Sequence, residues 1–165
     1  LIRILRAYGD EKFAPRIVDN IIAARSKSAL NTTKDLADLV KESIPAPARR
    51  TGGNPAKRTF QALRIEVNRE LEAIEIAIPS TLKMLAVGGR IVVMSYQSLE
   101  DKIVKEYFSQ ACKSLTPRNL PIELPNSAAK FRFVINGSES ASSEEILFNS
   151  RAQSMRLRCI ERVAA

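Results

Sequence analysis

The sequence contains no histidine, and this absence removes several kinds of active site from consideration. Zinc sites that use histidine are excluded, as are the Ser-His-Asp and Cys-His arrangements that activate a nucleophile through an imidazole. The two cysteines, Cys112 and Cys159, lie far apart and form no Cys-x-x-Cys pair, so no disulfide framework is expected. The sequence therefore predicts no metal site and favours a reducing, cytoplasmic environment.

Long apolar stretches are absent as well. The purely apolar runs are only a few residues long, whereas a helix that crosses a bilayer needs about 20. No basic, apolar and small-residue signal pattern opens the chain. We therefore expect no membrane partner. Because the chain starts at Leu1 rather than at a methionine, we also expect it to be a fragment of a longer protein.

Positive charge dominates what is present. The 165 residues include 26 Lys and Arg against 18 Asp and Glu, a formal net charge of +8. This charge either serves solubility alone or indicates an anionic partner, most often nucleic acid. The stretch from 43 to 65 has no acidic residue, and its cations are Arg49, Arg50, Lys57, Arg58 and Arg64. A Pro- and Gly-rich loop that leads into a helix N-terminus suits phosphate binding.

Hydrophobic periodicity predicts that the first part of the chain is helical. Helices are expected to end at Gly9, near Ser26 and before Pro45, with Asp10 capping the second and Thr32 or Thr33 the third. A long fourth helix is predicted to open at Asn54-Pro55 and to kink or restart at Pro79. Its expected core-facing stripe is Phe60, Leu63, Val67, Leu71, Ile74 and Ile78.

Strands are predicted only in the second part. RIVVMSY, after Gly88-Gly89, is expected to be a strand buried on both faces. Ser98 with Asp101 predicts a capping box that opens the next helix, and Ser142 predicts another helix start. FRFVI (131–135) and MRLRCIERV (155–163) are predicted to be the remaining strands. This order is typical of the closing half of an α/β sheet domain.

Four segments carry long and specific motifs: YGDEKFAPRIVDNI (8–21), AKRTFQALRIEVNREL (56–71), LAVGGRIVVMSYQSLEDKIVK (85–105) and NSRAQSMRLRCIER (149–162). Together they closely resemble the bacterial cytosine-N4 methyltransferases of small-subunit ribosomal RNA, the MraW type. The resemblance covers nearly the whole chain. Two positions depart from the pattern, because Asn54 and Gln97 stand where many family members carry histidine. We interpret this as a sign that no catalytic histidine is required.

The resemblance implies a fold and an activity. Residues 49–165 would be the C-terminal, closing half of a class I, Rossmann-like methyltransferase sheet domain, and residues 1–48 the helical part of an inserted substrate-recognition domain. The longer protein would methylate N4 of a cytidine in small-subunit ribosomal RNA, using S-adenosylmethionine. No Gly-rich cofactor loop occurs in this chain, so no cofactor-binding residue is predicted within it. The cofactor site is expected mostly N-terminal to Leu1, and the chain alone is expected to be inactive.

The predicted substrate-binding residues fall into two groups. The first lies around the basic loop and comprises Arg49, Arg50, Asn54, Lys57, Arg58 and Arg64. The second, Tyr96 and Gln97, follows a strand at its carboxyl end, where ligands collect in open α/β sheets. Tyr96 offers a stacking surface and Gln97 a hydrogen-bond donor and acceptor for an extruded base. Ser98 and Asp101 are expected to be structural, and the sequence identifies no catalytic residue.

Other interpretations stay open at this point. A non-enzymatic RNA- or ribosome-binding module would explain the charge without a cofactor loop. A DNA or protein methyltransferase would share the Gly-Gly-strand pattern, but not the RTFQALRIEVN stretch. Small-subunit ribosomal RNA or the ribosomal subunit is the expected partner, and self-association of the chain is a further expectation, because an incomplete sheet leaves an edge to pair.

Overall fold

Helices fill the first part of the chain, and strands appear only in the second. The structure, a computed structural model, describes residues 1–49, 53–117 and 127–165. These divide into two units, Leu1–Glu70 and Leu71–Ala165. The division predicted between residues 48 and 49 concerns the domains of a longer protein and stays a prediction.

The first unit is a set of helices around one apolar core. Its helices are α1 (Ile2–Gly9), α2 (Ala14–Arg25), α3 (Thr33–Ser43), the single turn α4 (Ala46–Arg49) and α5 (Lys57–Asn68). Leu5, Ile17 and Val40 are almost completely buried in the core. Thr32 caps α3, since its side chain accepts from the Asp35 N–H and Asp35 accepts in return. The three helices predicted before residue 45 are confirmed.

Two of the predicted helix starts are wrong by a few residues. Asp10 does not cap α2: it adopts a left-handed conformation with φ of 47° and ends α1, while Phe13 precedes α2. Asn54-Pro55 does not open α5 directly. The Asn54 side chain accepts from the Ala56 N–H at 2.9 Å, and the helix begins one turn later at Lys57.

Gly9 allows α1 to pack closely on α5. A Cβ atom at this buried glycine would lie 2.6 Å from the Arg58 carbonyl oxygen and 3.3 Å from the Ala62 Cβ. The face of α5 that is buried consists of Thr59, Ala62 and Ile65. The stripe predicted from Phe60 to Ile78 is confirmed in part: Phe60 packs against the core of the first unit and Ile78 is buried in the core of the second unit, but Val67 is 78% exposed. Because α1 packs closely on α5 at Gly9, a small side chain, Ala62, lies at the contact between the two helices.

Gly9→Ala is expected to lower the free energy of unfolding by about 2 kcal/mol, because the added methyl group meets backbone that has little room to move. Urea denaturation followed by circular dichroism measures this change. Ala7→Ser is the matched control, since Ala7 lies on the exposed side of the same helix. An effect of Gly9→Ala no larger than that of the control would show that α1 and α5 do not pack as described.

The long helix predicted after the basic loop is divided at Arg69. This residue adopts a left-handed conformation with φ of 53°, and its N–H bonds the Ile65 carbonyl to end α5. Helix α6 (Glu70–Met84) then begins at once. Glu70 stabilises the break, because it accepts from Arg64 at 2.8 and 3.1 Å and from Asn68 at 3.2 Å. The helix does not restart at Pro79, since that proline lies inside α6, and the kink predicted there stays a prediction.

The second unit is built on a three-stranded antiparallel sheet. Its elements after α6 are β1 (Arg90–Ser95), α7 (Ser98–Ala111), β2 (Phe131–Phe133), α8 (Ser143–Phe148), a 3₁₀ helix (Ser150–Ser154) and β3 (Arg156–Arg162). The strand order is β1-β3-β2. The protein is thus a mixed α/β protein, and the predicted strands and the helix start at Ser142 are confirmed.

Only one face of β1 is covered within the described part of the chain. Ile91 and Ile160 pair across β1 and β3 and join a core with Val104 and Phe108 of α7. The opposite face of β1 is open: Val92 is 59% exposed and Met94 51%. The prediction that this strand is buried on both faces is wrong for this chain. An apolar run of four residues does not distinguish one-sided from two-sided burial.

Asp101 has a different structural role from the one its spacing predicts. Helix α7 is preceded by Gln97, and it is Glu100 whose carboxylate accepts from the backbone N–H groups of Tyr96 and Gln97, at 3.1 and 3.2 Å. The capping box predicted between Ser98 and Asp101 is therefore wrong. Asp101 instead pairs with the buried Arg158 of β3, at 2.7 and 2.8 Å.

Both cysteines are free, and both contribute to packing. Cys159 is buried, and burial raises the pKa of the Cys112 thiol to about 11, so this group stays protonated at neutral pH. None of the helices in the described ranges has the length and apolar character that a bilayer crossing requires.

Candidate functional site

The basic segment predicted to bind RNA lines a cleft within the first unit. The cleft has a volume of about 680 Å³ and lies between the α1–α2 turn, the end of α3 with α4, and the beginning of α5. Its polar side chains include Glu11, Lys12, Arg49, Asn54, Lys57 and Arg58. Four of the sites predicted from sequence are thus brought together here: Arg49, Asn54, Lys57 and Arg58.

These predicted residues differ in how free their side chains are. Lys57 is exposed and, like Lys12, makes no side-chain hydrogen bond or ion pair with any described residue. The Arg58 guanidinium makes one long bond, to the Asp10 carbonyl oxygen at 3.3 Å. Lys12, Lys57 and Arg58 therefore offer cationic groups to a ligand in the cleft.

Arg49 has a structural role that its sequence position does not reveal. Its Nε donates to the Ile44 carbonyl at 2.6 Å, and an η nitrogen donates to the Glu42 carbonyl at 3.2 Å. These carbonyls lie at the C-terminus of α3, where a cation is favoured by unpaired carbonyls and the helix dipole. Arg49 therefore fixes one wall of the cleft and adds positive charge to it.

The two remaining predicted cations do not join this group. Arg64 lies on the exposed side of α5 and is occupied by Glu70, and the hydrogen bond from Arg64 holds the pKa of the Glu70 carboxyl below its usual range. Among the described residues that line the cleft, Arg64 does not appear. Arg50 lies outside the described residues.

Glu11 is a cleft residue that the sequence interpretation missed. Its side chain is 4% exposed, although the residue follows a helix end and precedes Lys12. Oε1 accepts from the Phe13 N–H at 3.0 Å and closes the turn before α2. An acid directly after Gly-Asp and two residues before Phe13 suggests a local turn, but no feature of the sequence indicates that its carboxylate is buried in a basic cleft.

Tyr96 and Gln97 follow β1 at its carboxyl end, in the second unit. The Tyr96 ring is half exposed, and its carbonyl accepts from the Ser154 hydroxyl at 2.9 Å, which ties the 3₁₀ helix to the strand end. The Gln97 Oε1 is shielded from solvent; it faces the Glu100 N–H in the capping box that opens α7, but it makes no hydrogen bond of ordinary geometry to a described residue. Buried acceptors are rarely left unpaired, so this oxygen is a candidate contact for a donor outside the described chain.

The glycines and acids that flank β1 are already engaged in contacts within the described chain. Gly88 and Gly89 precede β1 instead of following it; the Gly88 N–H donates to the Arg162 carbonyl, and the Gly89 carbonyl accepts from the Arg162 N–H. Of the acids after β1, Glu100 is occupied by backbone N–H groups and Asp101 by Arg158. Within the described ranges, no three His, Cys, Asp or Glu side chains are grouped to hold a metal ion.

A family model described as the MraW methylase family matches residues 1–163. The chain belongs to this family. The resemblance inferred from the four motifs is thereby confirmed, over nearly the full length of the chain.

Curated relatives agree with the MraW assignment. The chain is 56% identical over 163 residues to the ribosomal RNA small subunit methyltransferase H of Mycolicibacterium smegmatis, 54% to that of Corynebacterium aurimucosum and 52% to that of Salinispora arenicola. Each comparison covers 99% of this chain but 44 to 47% of the relative. The chain spans less than half the length of the MraW-family relatives it matches.

Proposed function

We propose that this chain is the C-terminal part of an S-adenosylmethionine-dependent methyltransferase that modifies N4 of a cytidine in small-subunit ribosomal RNA. The observation that carries the proposal is the cleft where Lys12, Lys57 and Arg58 converge in a chain of this family. Such a cleft favours a polyanionic substrate, because each phosphate neutralised by a cation releases bound counterions. The names of the relatives supply the class of RNA.

The cleft would hold the RNA backbone. Lys12 and Lys57 have side chains without a bonding partner in the described chain, and flexible lysines reach a phosphate as point charges. The Arg58 guanidinium can leave its long bond to the Asp10 carbonyl, since that bond is weak at 3.3 Å. Arg49 would contribute through its charge while its nitrogens hold the end of α3, and Arg50 and Asn54 complete the proposed RNA-binding set. Arg64 would take part only if it left Glu70.

The end of β1 would hold the target base. The exocyclic amine of cytosine donates hydrogen bonds, and the shielded Gln97 Oε1 is an acceptor that lacks a donor among the described residues. The exposed Tyr96 ring offers a face on which an extruded base can stack. Both residues would bind and orient the base, and neither would transfer a proton.

The cofactor would supply the methyl group, and its binding residues would lie mostly in the portion of the relatives that this chain does not match. The proposed domains are a substrate-recognition part before residue 49 and the closing half of a Rossmann-like domain after it. On this proposal the chain alone transfers no methyl group.

Lys57→Ala with Arg58→Ala is expected to weaken RNA binding about tenfold near 0.15 M salt, because two phosphate contacts are lost. The plot of log affinity against log salt should become shallower by about 1.4, the value for two contacts to a single strand. Fluorescence anisotropy with a labelled single-stranded RNA, at several salt concentrations, measures both quantities on the full chain.

The matched control is Lys27→Ala with Lys41→Ala, which removes the same formal charge from exposed positions of the same unit outside the cleft lining. This control is expected to change the affinity less than threefold, since distant surface charges are screened. Equal losses for the two double variants would show that RNA senses only the net charge, and the cleft would not be the binding site.

A further inference from the structure

The carboxylate of Glu11 has an unused acceptor in a cleft whose other charged side chains are cations. Only 4% of the surface of this residue is exposed. Oε1 accepts from the Phe13 N–H, whereas Oε2 has no hydrogen-bond donor among the described residues. Lys12, Lys57 and Arg58 line the same cleft, yet none of them forms an ion pair with Glu11 in the described chain. Solvent reaches Oε2, since it is not among the shielded side-chain atoms that lack a partner, so this oxygen can accept a hydrogen bond from a ligand in the cleft that brings a donor.

The charge pattern limits what that ligand is. A carboxylate repels phosphate, so a ligand that is only an anion would bind better without Glu11. A ligand that satisfies the whole cleft has a phosphate for the cations and, within a few ångströms of it, a neutral hydrogen-bond donor. The volume of about 680 Å³ is in the range of pockets that hold ligands the size of a nucleotide.

We propose that Glu11 accepts a hydrogen bond from the ribose 2′-hydroxyl of the nucleotide whose phosphate is held by Lys57 and Arg58. The 2′-hydroxyl is the donor that every RNA nucleotide carries and DNA lacks. It belongs to the same sugar-phosphate unit as the bound phosphate, whereas a base amine occurs only on some nucleotides. The inference rests on the proposed function, since it assumes that the cleft binds RNA, and it adds selectivity for RNA over DNA.

Glu11→Gln separates this role from a purely structural one. The amide oxygen can still accept from the Phe13 N–H and close the turn, so the fold is expected to persist, as a thermal melt checks. Loss of a negative charge in a basic cleft raises the affinity for any polyanion through long-range electrostatics. Loss of a charged hydrogen-bond acceptor lowers the affinity, and only for a ligand with the donor. The two explanations predict changes of opposite sign.

The experiment measures binding of the full chain to three labelled single strands: oligocytidine RNA, its 2′-deoxy counterpart and its 2′-O-methyl counterpart. The native chain is expected to bind RNA about tenfold tighter than either analogue, the size expected for a hydrogen bond to a charged group. Glu11→Gln is expected to bind the unmodified RNA several-fold more weakly and the two analogues no more weakly than the native chain does. The 2′-O-methyl comparison needs no variant, so equal affinity of the native chain for RNA and this analogue overturns the contact even if Glu11→Gln does not fold.

Several outcomes would overturn the inference. Equal affinity of the native chain for the three strands would show that the 2′-hydroxyl makes no contact with the protein. RNA binding, and with it the proposed function, would not be contradicted by that result. Tighter binding of all strands by Glu11→Gln would show that Glu11 acts only by repelling phosphate and accepts no hydrogen bond from the ligand. In a fourth titration, with oligouridine RNA, a preference for oligocytidine that disappears in Glu11→Gln would assign the contact to a base amine. Absence of binding to any strand would overturn the proposed function together with the inference.

Discussion

Asp101→Asn is expected to lower the free energy of unfolding by about 3 kcal/mol, because it leaves the guanidinium of Arg158 buried without its counter-charge. Arg158 is 8% exposed, and its two bonds to Asp101 form a bidentate pair at 2.7 and 2.8 Å. A third bond, 2.8 Å long, reaches the Gly137 carbonyl. One side chain thus joins β3, α7 and the loop after β2, so urea denaturation of the variant should show a large decrease in the midpoint.

The same pair makes stability depend on acid pH. The hydrogen bond from Arg158 holds the pKa of the Asp101 carboxyl below its ordinary value. A carboxyl whose pKa is lower in the folded state contributes stability that is fully present above its unfolded pKa, near 3.9, and is lost as the pH falls through the lower folded value. The native chain should therefore lose more stability below about pH 4 than Asp101→Asn does.

Asp38→Asn is the matched control for both measurements. Asp38 also forms an ion pair, with Lys34 at 2.6 Å, but both side chains are more than half exposed. Exposed pairs contribute little, so this variant is expected to change the free energy of unfolding by less than about 0.5 kcal/mol. Similar losses for the two variants would contradict the assignment of Asp101 and Arg158 as a buried pair that holds the unit together.

Gln97→Ala is expected to lower kcat/KM for methyl transfer by about 10- to 100-fold in the full-length product of the gene, the effect of removing a hydrogen bond of 1 to 3 kcal/mol. The expectation follows from the proposed contact between the shielded Oε1 and the exocyclic amine of the target cytosine. A methyl-transfer assay on small-subunit RNA at several RNA concentrations measures it. A decrease in kcat would indicate that the contact orients the base for reaction, and an increase in KM alone that it only binds.

The control is Gln110→Ala, the same substitution near the opposite end of α7, where the side chain is exposed and makes only a long bond to Glu106 at 3.4 Å. This variant should have the native kcat/KM. If Gln97→Ala also has the native value, Gln97 is a surface residue and the base must be held by other groups.

The sequence predicted local features of the fold well, because neighbouring residues determine them. Thr32 and Ser142 cap helices through their own side chains, and both caps are present. The capping box predicted at Ser98 failed because another pair of residues has the same spacing. Ser98 and Asp101 have capping-box spacing, but Gln97 and Glu100, one residue earlier, have the same spacing and form the box. Asp101 bonds Arg158 instead, a residue 57 positions away in the sequence.

Features that depend on tight packing between helices, or on contacts between residues far apart in the sequence, could not be predicted from neighbouring residues. The small residue Gly9 selects which face of α5 is buried, and this reversed the expected roles of Ala62 and Val67. The helix breaks at Arg69 because this residue adopts a left-handed conformation, and side-chain hydrogen bonds to Glu70 stabilise the break. The sequence has no glycine at this position that would indicate such a conformation.

The sequence predicted several of the residues in the candidate site, but not which groups their side chains contact. Clustered cations along the sequence identified Lys57 and Arg58, because residues so close in the chain cannot be far apart in space. Sequence proximity did not show that Arg49 bonds the end of α3 or that Arg64 bonds Glu70. Glu11 escaped notice because an acid 46 residues before the cluster gives no sign of its burial in the cleft.

The most direct test of the account is to identify the nucleoside that receives the methyl group. The full-length product of the gene is incubated with small-subunit ribosomal RNA and S-adenosylmethionine labelled in its methyl group, and the RNA is digested to nucleosides for mass spectrometry. The account predicts that the label appears in N4-methylcytidine and that the 165-residue chain alone transfers none. Label in a different nucleoside, or RNA left unlabelled by the full-length protein, would contradict it.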